Sequence, residues 1–552
     1  DVQGSDLIIV AGQNPGTNHP RMLTALERAK KNGAAIVAVN PLPEAGLLRF
    51  DNPQTAGGLL GSKFGGGTQL ADDFLQIRLG GDQALFQGLG KYLLEQEEEH
   101  GNVFDHAFIK DYTDGLDSYL AEIRNTSWDE ICLASGLTRA QIEATGARLI
   151  ASKSTVVCWA MGLTQHKHSV AMLRDIVNVL LLQGNVGRPG AGVCPVRGHS
   201  NVQGDRTMGI FERMPEAFHD KLDAEFSFAS PRRHGFDTVN AIRAMRDSKV
   251  RVFMAMGGNF IRATPDSAVT EDALRNTELT VQVSTKLNKS HLVHGRRALI
   301  LPALGRTDRD TQASGDQRVT VEDSMSAVHA SQGRLDPPGP EVRSEVAIVC
   351  ELAERLFAGE NAPFRANAPQ LDWIACRADY SLIRRRIENV IPGFEGFESK
   401  IKRGGGGFVL PNGPRDGRRF ATATGKARFT ANELDYPRVP EGRLILQTLR
   451  AHDQYNTTVY AKDDRYRGIY GGRRVVFVNE KDLAAAGFKD GDMVDMVSEY
   501  EDGVERRAES FRAVAYNTPV GCAAAYYPEA NVLVPLDSVA ETVDEAASLV
   551  FS

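Results

Sequence analysis

Short, wholly apolar runs alternate with amphipathic stretches along the first two hundred residues. Positions 7–11 (Leu-Ile-Ile-Val-Ala) form one such run, 21–32 carry helical spacing, and 34–39 form a second run ending at Asn40-Pro41. Continuous apolar runs flanking a helix predict a βαβ unit and a parallel sheet. The glycine-rich stretch 50–67 reads as a loop, 75–79 as a further strand, and Gly80-Gly81-Asp82 as the turn before a helix over 83–98. Another unit follows: a strand over 155–161 feeds Gly162-Leu163-Thr164-Gln165-His166 and a helix over 170–182. Gly184 and Gly187 stop that helix, as glycine does just past a helix C-terminus.

Strand-turn-helix patterns at 250–258 and 279–283 predict a second α/β layer. Residues 358–440 read as irregular, with Arg403 and four following glycines marking a linker. From 443 the period changes to short β runs at 444–449, 474–478, 493–497 and 512–515, which predict a C-terminal β-barrel. The expected division is 1–197, 198–357, an excursion over 358–440, and 441–552.

A chain of 552 residues with 42% hydrophobic and 24% charged content is an ordinary globular composition, long enough for several domains. Its net charge of −7 gives no electrostatic case for nucleic acid, and no apolar run approaches the roughly 20 residues of a membrane span. Six cysteines stand at 132, 158, 194, 350, 376 and 522 without a CxxC pair. Such spacing holds neither zinc nor an iron-sulfur centre, and it predicts reduced, buried thiols and a cytoplasmic location. No secretory signal is visible, and the sequence opens as if within a fold.

The densest candidate chemistry is the run 196–209, Val-Arg-Gly-His-Ser-Asn-Val-Gln-Gly-Asp-Arg-Thr-Met-Gly. Glycines let backbone approach a ligand, Asn201 and Gln203 offer paired donors and acceptors, and Arg197 offers a planar fork for a carboxylate or phosphate. The competing reading is a surface loop. At the first strand end, Gly12 and Asn14 precede a helix whose exposed amides suit an anionic pyrophosphate, although they also serve simply to turn the chain. The motif is not GxGxxG, so NAD is the weaker nucleotide. His166, His168, His199, His291 and His294 lack HExxH spacing, there is no GxSxG elbow, and Met161, Met208 and Met256 read as packing residues.

Three segments carry a resemblance: Gly12-Gln13-Asn14-Pro15-Gly16-Thr17-Asn18-His19-Pro20, the run 196–209, and His452-Asp453-Gln454-Tyr455-Asn456-Thr457-Thr458. In this order they resemble formate dehydrogenase-like alpha subunits of the molybdopterin oxidoreductase superfamily, in its YdeP-like branch. The resemblance implies a formate dehydrogenase/DMSO reductase-like α/β fold with parallel sheets and a C-terminal double-psi β-barrel. It also implies two molybdopterin guanine dinucleotides holding molybdenum or tungsten. Gly12, Asn14, His19, Asn40, Pro41, Gly81, Asp82, Gly162, Gln165, Gly198, Asn201 and Gln203 are then expected to bind cofactor. In the barrel the same expectation falls on His452, Gln454, Asn456, Thr457, Thr458 and Asn531.

Many relatives carry Asp where Asn40 stands. Thr457 and Thr458 have a competing reading as turn formers. Arg197 is the expected catalytic residue, fixing the carboxylate of formate beside the metal. Formate would be oxidised to carbon dioxide and its electrons passed to a partner subunit. The metal's protein ligand and any iron-sulfur cluster are expected from a segment N-terminal to the first loop or from a partner, so no residue here is assigned to metal. The alternatives are an oxidoreductase for another small substrate and a noncatalytic, cofactor-retaining scaffold.

Overall fold

The computed structural model describes residues 2–50, 67–402, 407–527 and 529–540. Two compact units emerge, Asp1–Gly198 with Asn412–Ser552, and His199–Pro411. The first unit is therefore discontinuous in sequence.

Its N-terminal half runs β1 (Leu7–Ala11), α1 (Pro20–Lys31), β2 (Ala35–Val39), β3 (Asp73–Leu75), α2 (Asp82–His100), β4 (Thr155–Trp159), α3 (Ser169–Leu182) and β5 (Gly192–Pro195). The five strands are parallel in the order β3-β2-β1-β4-β5. Every residue of β1 and β4 is buried, which explains their lack of polar alternation. One core, including Ile9, Val157, Leu89 and Val179, lies under α2 and α3, and another, including Ile8, Val10 and Leu26, lies under α1. Gly184 and Gly187 take positive φ of 61° and 68° past the end of α3.

The strand expected over 75–79 ends at Leu75 instead. Beyond it the chain turns its polar groups elsewhere: Gln76 Nε2 donates to the carbonyls of Pro41 and Asn517, and Arg78 Nη1 to that of Pro437. The loop expected over 50–67 falls almost wholly outside the described residues.

The second unit holds α4 (Val202–Thr207), β6 (Val252–Met256), β7 (Leu279–Ser284) and β8 (Arg297–Pro302), the strands parallel in the order β8-β7-β6. It adds an antiparallel sheet of β9 (Val319–Glu322), β10 (Ala327–Ser331) and β11 (Gly407–Val409). The excursion expected to be irregular contains the helices Trp373–Ala378, α5 (Ser381–Val390) and Phe397–Lys402. They are stabilised by a cluster of Phe394, Phe397 and Phe408 with edge-to-face rings, and by Arg384 paired with Glu398 at 2.5 Å. The expected glycine linker, 403–406, lies outside the described residues.

After Asn412 the chain rejoins the first unit and closes it with β12 (Ile445–Leu449), β13 (Val475–Val478), β14 (Met493–Ser498), β15 (Arg506–Ala515) and β16 (Cys522–Tyr526). These form a mixed sheet in the order β12-β16-β13-β15-β14, the curled sheet of the expected barrel. Strand β16, unforeseen in the sequence, is buried at every position. The six cysteines are free thiols.

Candidate active site

In the N-terminal sheet β2 and β3 lie on one side of β1, and β4 and β5 on the other. Connections thus leave the adjacent strands β1 and β4 in opposite directions, which opens a crevice beyond their carboxyl ends. Gly12 follows β1, Asn40 and Pro41 follow β2, Gly162 and Gln165 follow β4, and Arg197 and Gly198 follow β5. The strand ends therefore gather seven of the expected residues at one edge, and Asn14 and His19 bring the number to nine.

Gly12 and Gly162 meet across the switch point. Gly162 donates its N–H to the Gly12 carbonyl at 3.1 Å, and Gly12 holds a φ of +57°. A Cβ on Gly162 would stand 2.4 Å from the Gly12 oxygen, and one on Gly12 would stand 2.3 Å from Leu163 Cδ1. Glycine is required at both positions by this contact alone. Asn40 is buried and shapes its own turn: its amide nitrogen donates to the Gln13 carbonyl and its oxygen accepts from Leu42 N–H. Asn14 Oδ1 is buried and has no hydrogen-bond partner among the described residues.

His19 ties two loops together through its Nε2, 2.7 Å from the Arg197 carbonyl oxygen. A carbonyl only accepts, so Nε2 carries the proton. Burial lowers the His19 pKa, more than the carbonyl contact raises it. Arg197 is half-buried at the end of this tie.

Gly81 and Asp82 start α2. A Cβ on Gly81 would lie 2.5 Å from the Ala134 carbonyl oxygen, so its smallness serves packing. Burial raises the Asp82 carboxyl to about 6, opposed by the nearby His166. His166 sits 2.5 Å from the Gly162 carbonyl, and so links this turn to the crevice. Farther down α2 and α3, Asp175 accepts from Gln83 and Gln87 on one oxygen and from Asn178 and Asn432 on the other.

A second cradle lies at the end of β12. Gln454 braces it from within: its nitrogen donates to the carbonyls of Asn456 and Tyr527, and its oxygen accepts from Ala451 N–H and Arg473. All four positions of this amide are thereby filled by the chain. Arg473 also forks onto Glu529 and donates to the Tyr527 carbonyl, tying both to the turn at 451–456. Asn456 takes a φ of +48°, and its buried Oδ1 has no hydrogen-bond partner among the described residues. His452 packs on Tyr466 with ring centroids 4.1 Å apart, Thr457 is half-buried, Thr458 is exposed, and Asn531 is fully buried.

Arg450 was not among the residues expected to bind. Its guanidinium lies over the Tyr527 ring at 4.9 Å, and burial lowers its pKa, opposed by Tyr527. An arginine directly after an apolar strand and before a polar turn was the available signal. Arg467 joins the two cradles, donating to Glu44 at 2.5 Å, Asp464 at 2.8 Å and the Arg450 carbonyl at 2.8 Å. Asn201 and Gln203 belong to the second unit, at the start of α4, where Asn201 Oδ1 accepts from Glu322 N–H.

Residues 1–355 match the family model described as molybdopterin oxidoreductase, and 444–547 match the Molydopterin dinucleotide binding domain. An uncharacterized oxidoreductase of Mycobacterium tuberculosis is 59% identical over 545 residues, covering 98% of this chain and 68% of the relative. Protein YdeP of Escherichia coli is 40% identical over 550 residues, covering 98% and 70%. Formate dehydrogenase H of Escherichia coli is more distant, 29% identical over 290 residues, 51% of this chain and 37% of that protein. The fold is similar to that of acetylene hydratase from Pelobacter acetylenicus, with a TM-score of 0.63, 15% identity, and coverage of 98% and 75%. With a family model over the crevice-bearing region and relatives matching almost throughout, the chain belongs to the molybdopterin oxidoreductase family.

Proposed function

We propose that the protein oxidises formate to carbon dioxide at a bis-pterin molybdenum or tungsten centre, with Arg197 fixing the substrate carboxylate. The observation that carries the reading is Arg197 at the carboxyl edge of a switch-point crevice, its backbone carbonyl held by His19. A guanidinium presents two parallel N–H donors to a carboxylate and takes no part in proton transfer. It therefore orients formate and balances its charge.

The residues present fit a pterin nucleotide. The buried oxygens of Asn14 and Asn456 lack hydrogen-bond partners among the described residues, as expected of groups awaiting ligand donors. Arg450 is a buried cation over the Tyr527 ring and suits a phosphate. Gly12, Asn14, Asn40, Pro41, Gly81, Asp82, Gly162, Gln165 and Gly198 would hold one nucleotide. His452, Asn456, Thr457, Thr458 and Asn531 would hold the second, with Gln454 shaping its turn. When bound, the metal centre supplies the two-electron acceptor. Electron removal by a partner subunit, an iron-sulfur cluster outside this sequence and a cytoplasmic location complete the reading.

Arg197→Lys in the metallated enzyme tests it. A loss of roughly 2 kcal/mol in positioning predicts about thirtyfold slower formate turnover at unchanged metal and guanine content. Wild-type kinetics in the metallated variant would remove Arg197 from this role, and a metallated wild type inert to formate would remove the substrate.

A further inference from the structure

Cys158 of β4 and Cys194 of β5 stand directly opposite each other in the parallel register of the first unit's sheet. Neighbouring strands lie about 4.8 Å apart, and a disulfide spans Cα separations of about 4.4 to 6.8 Å. Both side chains enter the same core, with Ile8, Val10 and Leu26, so the two sulfurs share one face of the sheet. Both are free thiols, and that of Cys158 donates to the Cys194 sulfur, which raises the Cys158 pKa and lowers that of Cys194. The thiolate, the nucleophilic form, is thereby favoured at Cys194. Access follows the same order. Cys158 is fully buried, whereas Cys194 is 9% exposed on the last strand of the described sheet, next to Val193 at 46%. One further residue pair, Trp159 and Pro195, separates the thiols from the crevice.

We propose that Cys158 and Cys194 form a reversible oxidation site for hydrogen peroxide, closing a disulfide between β4 and β5 beneath the crevice. Cys194 reacts first: its thiolate sulfur attacks one peroxide oxygen, the O–O bond breaks, and the departing hydroxide takes up the thiol's proton to leave as water. Cys194 is then a sulfenic acid. The Cys158 sulfur attacks the Cys194 sulfur, the S–S bond forms, the S–O bond breaks, and a second water leaves with the Cys158 proton. One peroxide is reduced to two waters while two thiols are oxidised to one disulfide. A dithiol reductant reverses the step by exchange. The resolving thiol needs no solvent access, because it is already in place across the ladder. This chemistry is independent of what the crevice binds.

In the test, the intact, cofactor-loaded wild type is treated with hydrogen peroxide, its remaining thiols are alkylated, and its peptides are mapped by mass spectrometry without reduction. A peptide pair joining Cys158 to Cys194 is expected, with the circular dichroism of the protein unchanged and both thiols restored by dithiothreitol. In Cys158→Ala, Cys194 is expected to stop at the sulfenic acid and be trapped by dimedone. In Cys194→Ala, Cys158 is expected to react about tenfold more slowly than Cys194 does in the wild type. The wild-type map decides even where a variant misfolds. Added oxygen on Cys194 without the cross-link, or survival of both thiols at a peroxide dose that consumes free cysteine in the same solution, would overturn the proposal. So would a cross-link that appears only once the folded circular dichroism is lost, or one that dithiothreitol leaves in place. Cys158 reacting in Cys194→Ala as fast as Cys194 does in the wild type would overturn the order of attack.

Discussion

At the scale of single residues, the crevice is defined by two glycines in contact and one histidine. Gly162→Ala places a methyl against the Gly12 carbonyl, a backbone neighbour that cannot swing away. A loss of about 1 to 3 kcal/mol is expected, read as a lower melting temperature together with reduced guanine content. His19→Ala removes one hydrogen bond to the Arg197 carbonyl. It should leave the melting temperature within about 1 kcal/mol equivalent while raising the KM for formate, because the arginine loop loses its tether. A fall in stability with unchanged KM would make His19 a folding residue only. The glycines were legible in the sequence because they interrupt apolar strands. The role of Gln454 was not: its amide reads as a ligand in isolation, and only the fold brings Tyr527 and Arg473 to it from more distant positions.

At the scale of elements, strands apolar on every position announced themselves, and β1, β2 and β4 stand where the pattern predicts. The helices between Trp373 and Lys402 were hidden because their stability is tertiary, drawn from the phenylalanine cluster and from a buried arginine that makes α5 look polar. Two carboxyls on the α2–α3 layer separate by environment. Asp82 and Asp175 are both raised to about 6 by burial, so each destabilises the fold as pH rises from about 4, its unfolded value, to about 6, and above. Asp82→Asn should therefore flatten that decline and stabilise the protein above pH about 6. Asp175→Asn should instead destabilise it by about 1 to 3 kcal/mol at neutral pH, because its new amide N–H faces the amide donors of Gln and Asn neighbours. Thermal melts across this pH range check both signs, and equal behaviour of the two variants would contradict the assignment.

At the scale of the whole molecule, the three motifs were readable as one family long before their geometry was. What the sequence withheld was that the chain leaves the first unit at Gly198 and returns at Asn412. Arg467 sits where the returning part meets the first, between Glu44 and Asp464. Arg467→Met strands two buried carboxylates, and a loss of about 3 to 5 kcal/mol is expected. Chemical denaturation is then expected to separate the N-terminal sheet from the curled C-terminal sheet in the variant and to unfold them together in the wild type.

The same return has a consequence for how the protein is made. Asp175 waits for Asn432, and Asn178 for Thr430, yet about two hundred residues of the other unit emerge from the ribosome in between. At synthesis rates of roughly 5–20 residues per second, the half-built sheet stands with an unsealed helix layer for about ten to forty seconds. During that interval the nascent chain offers its unsealed surface to any chaperone or protease nearby, so the yield of protein in the cell depends on the speed of translation through the intervening codons.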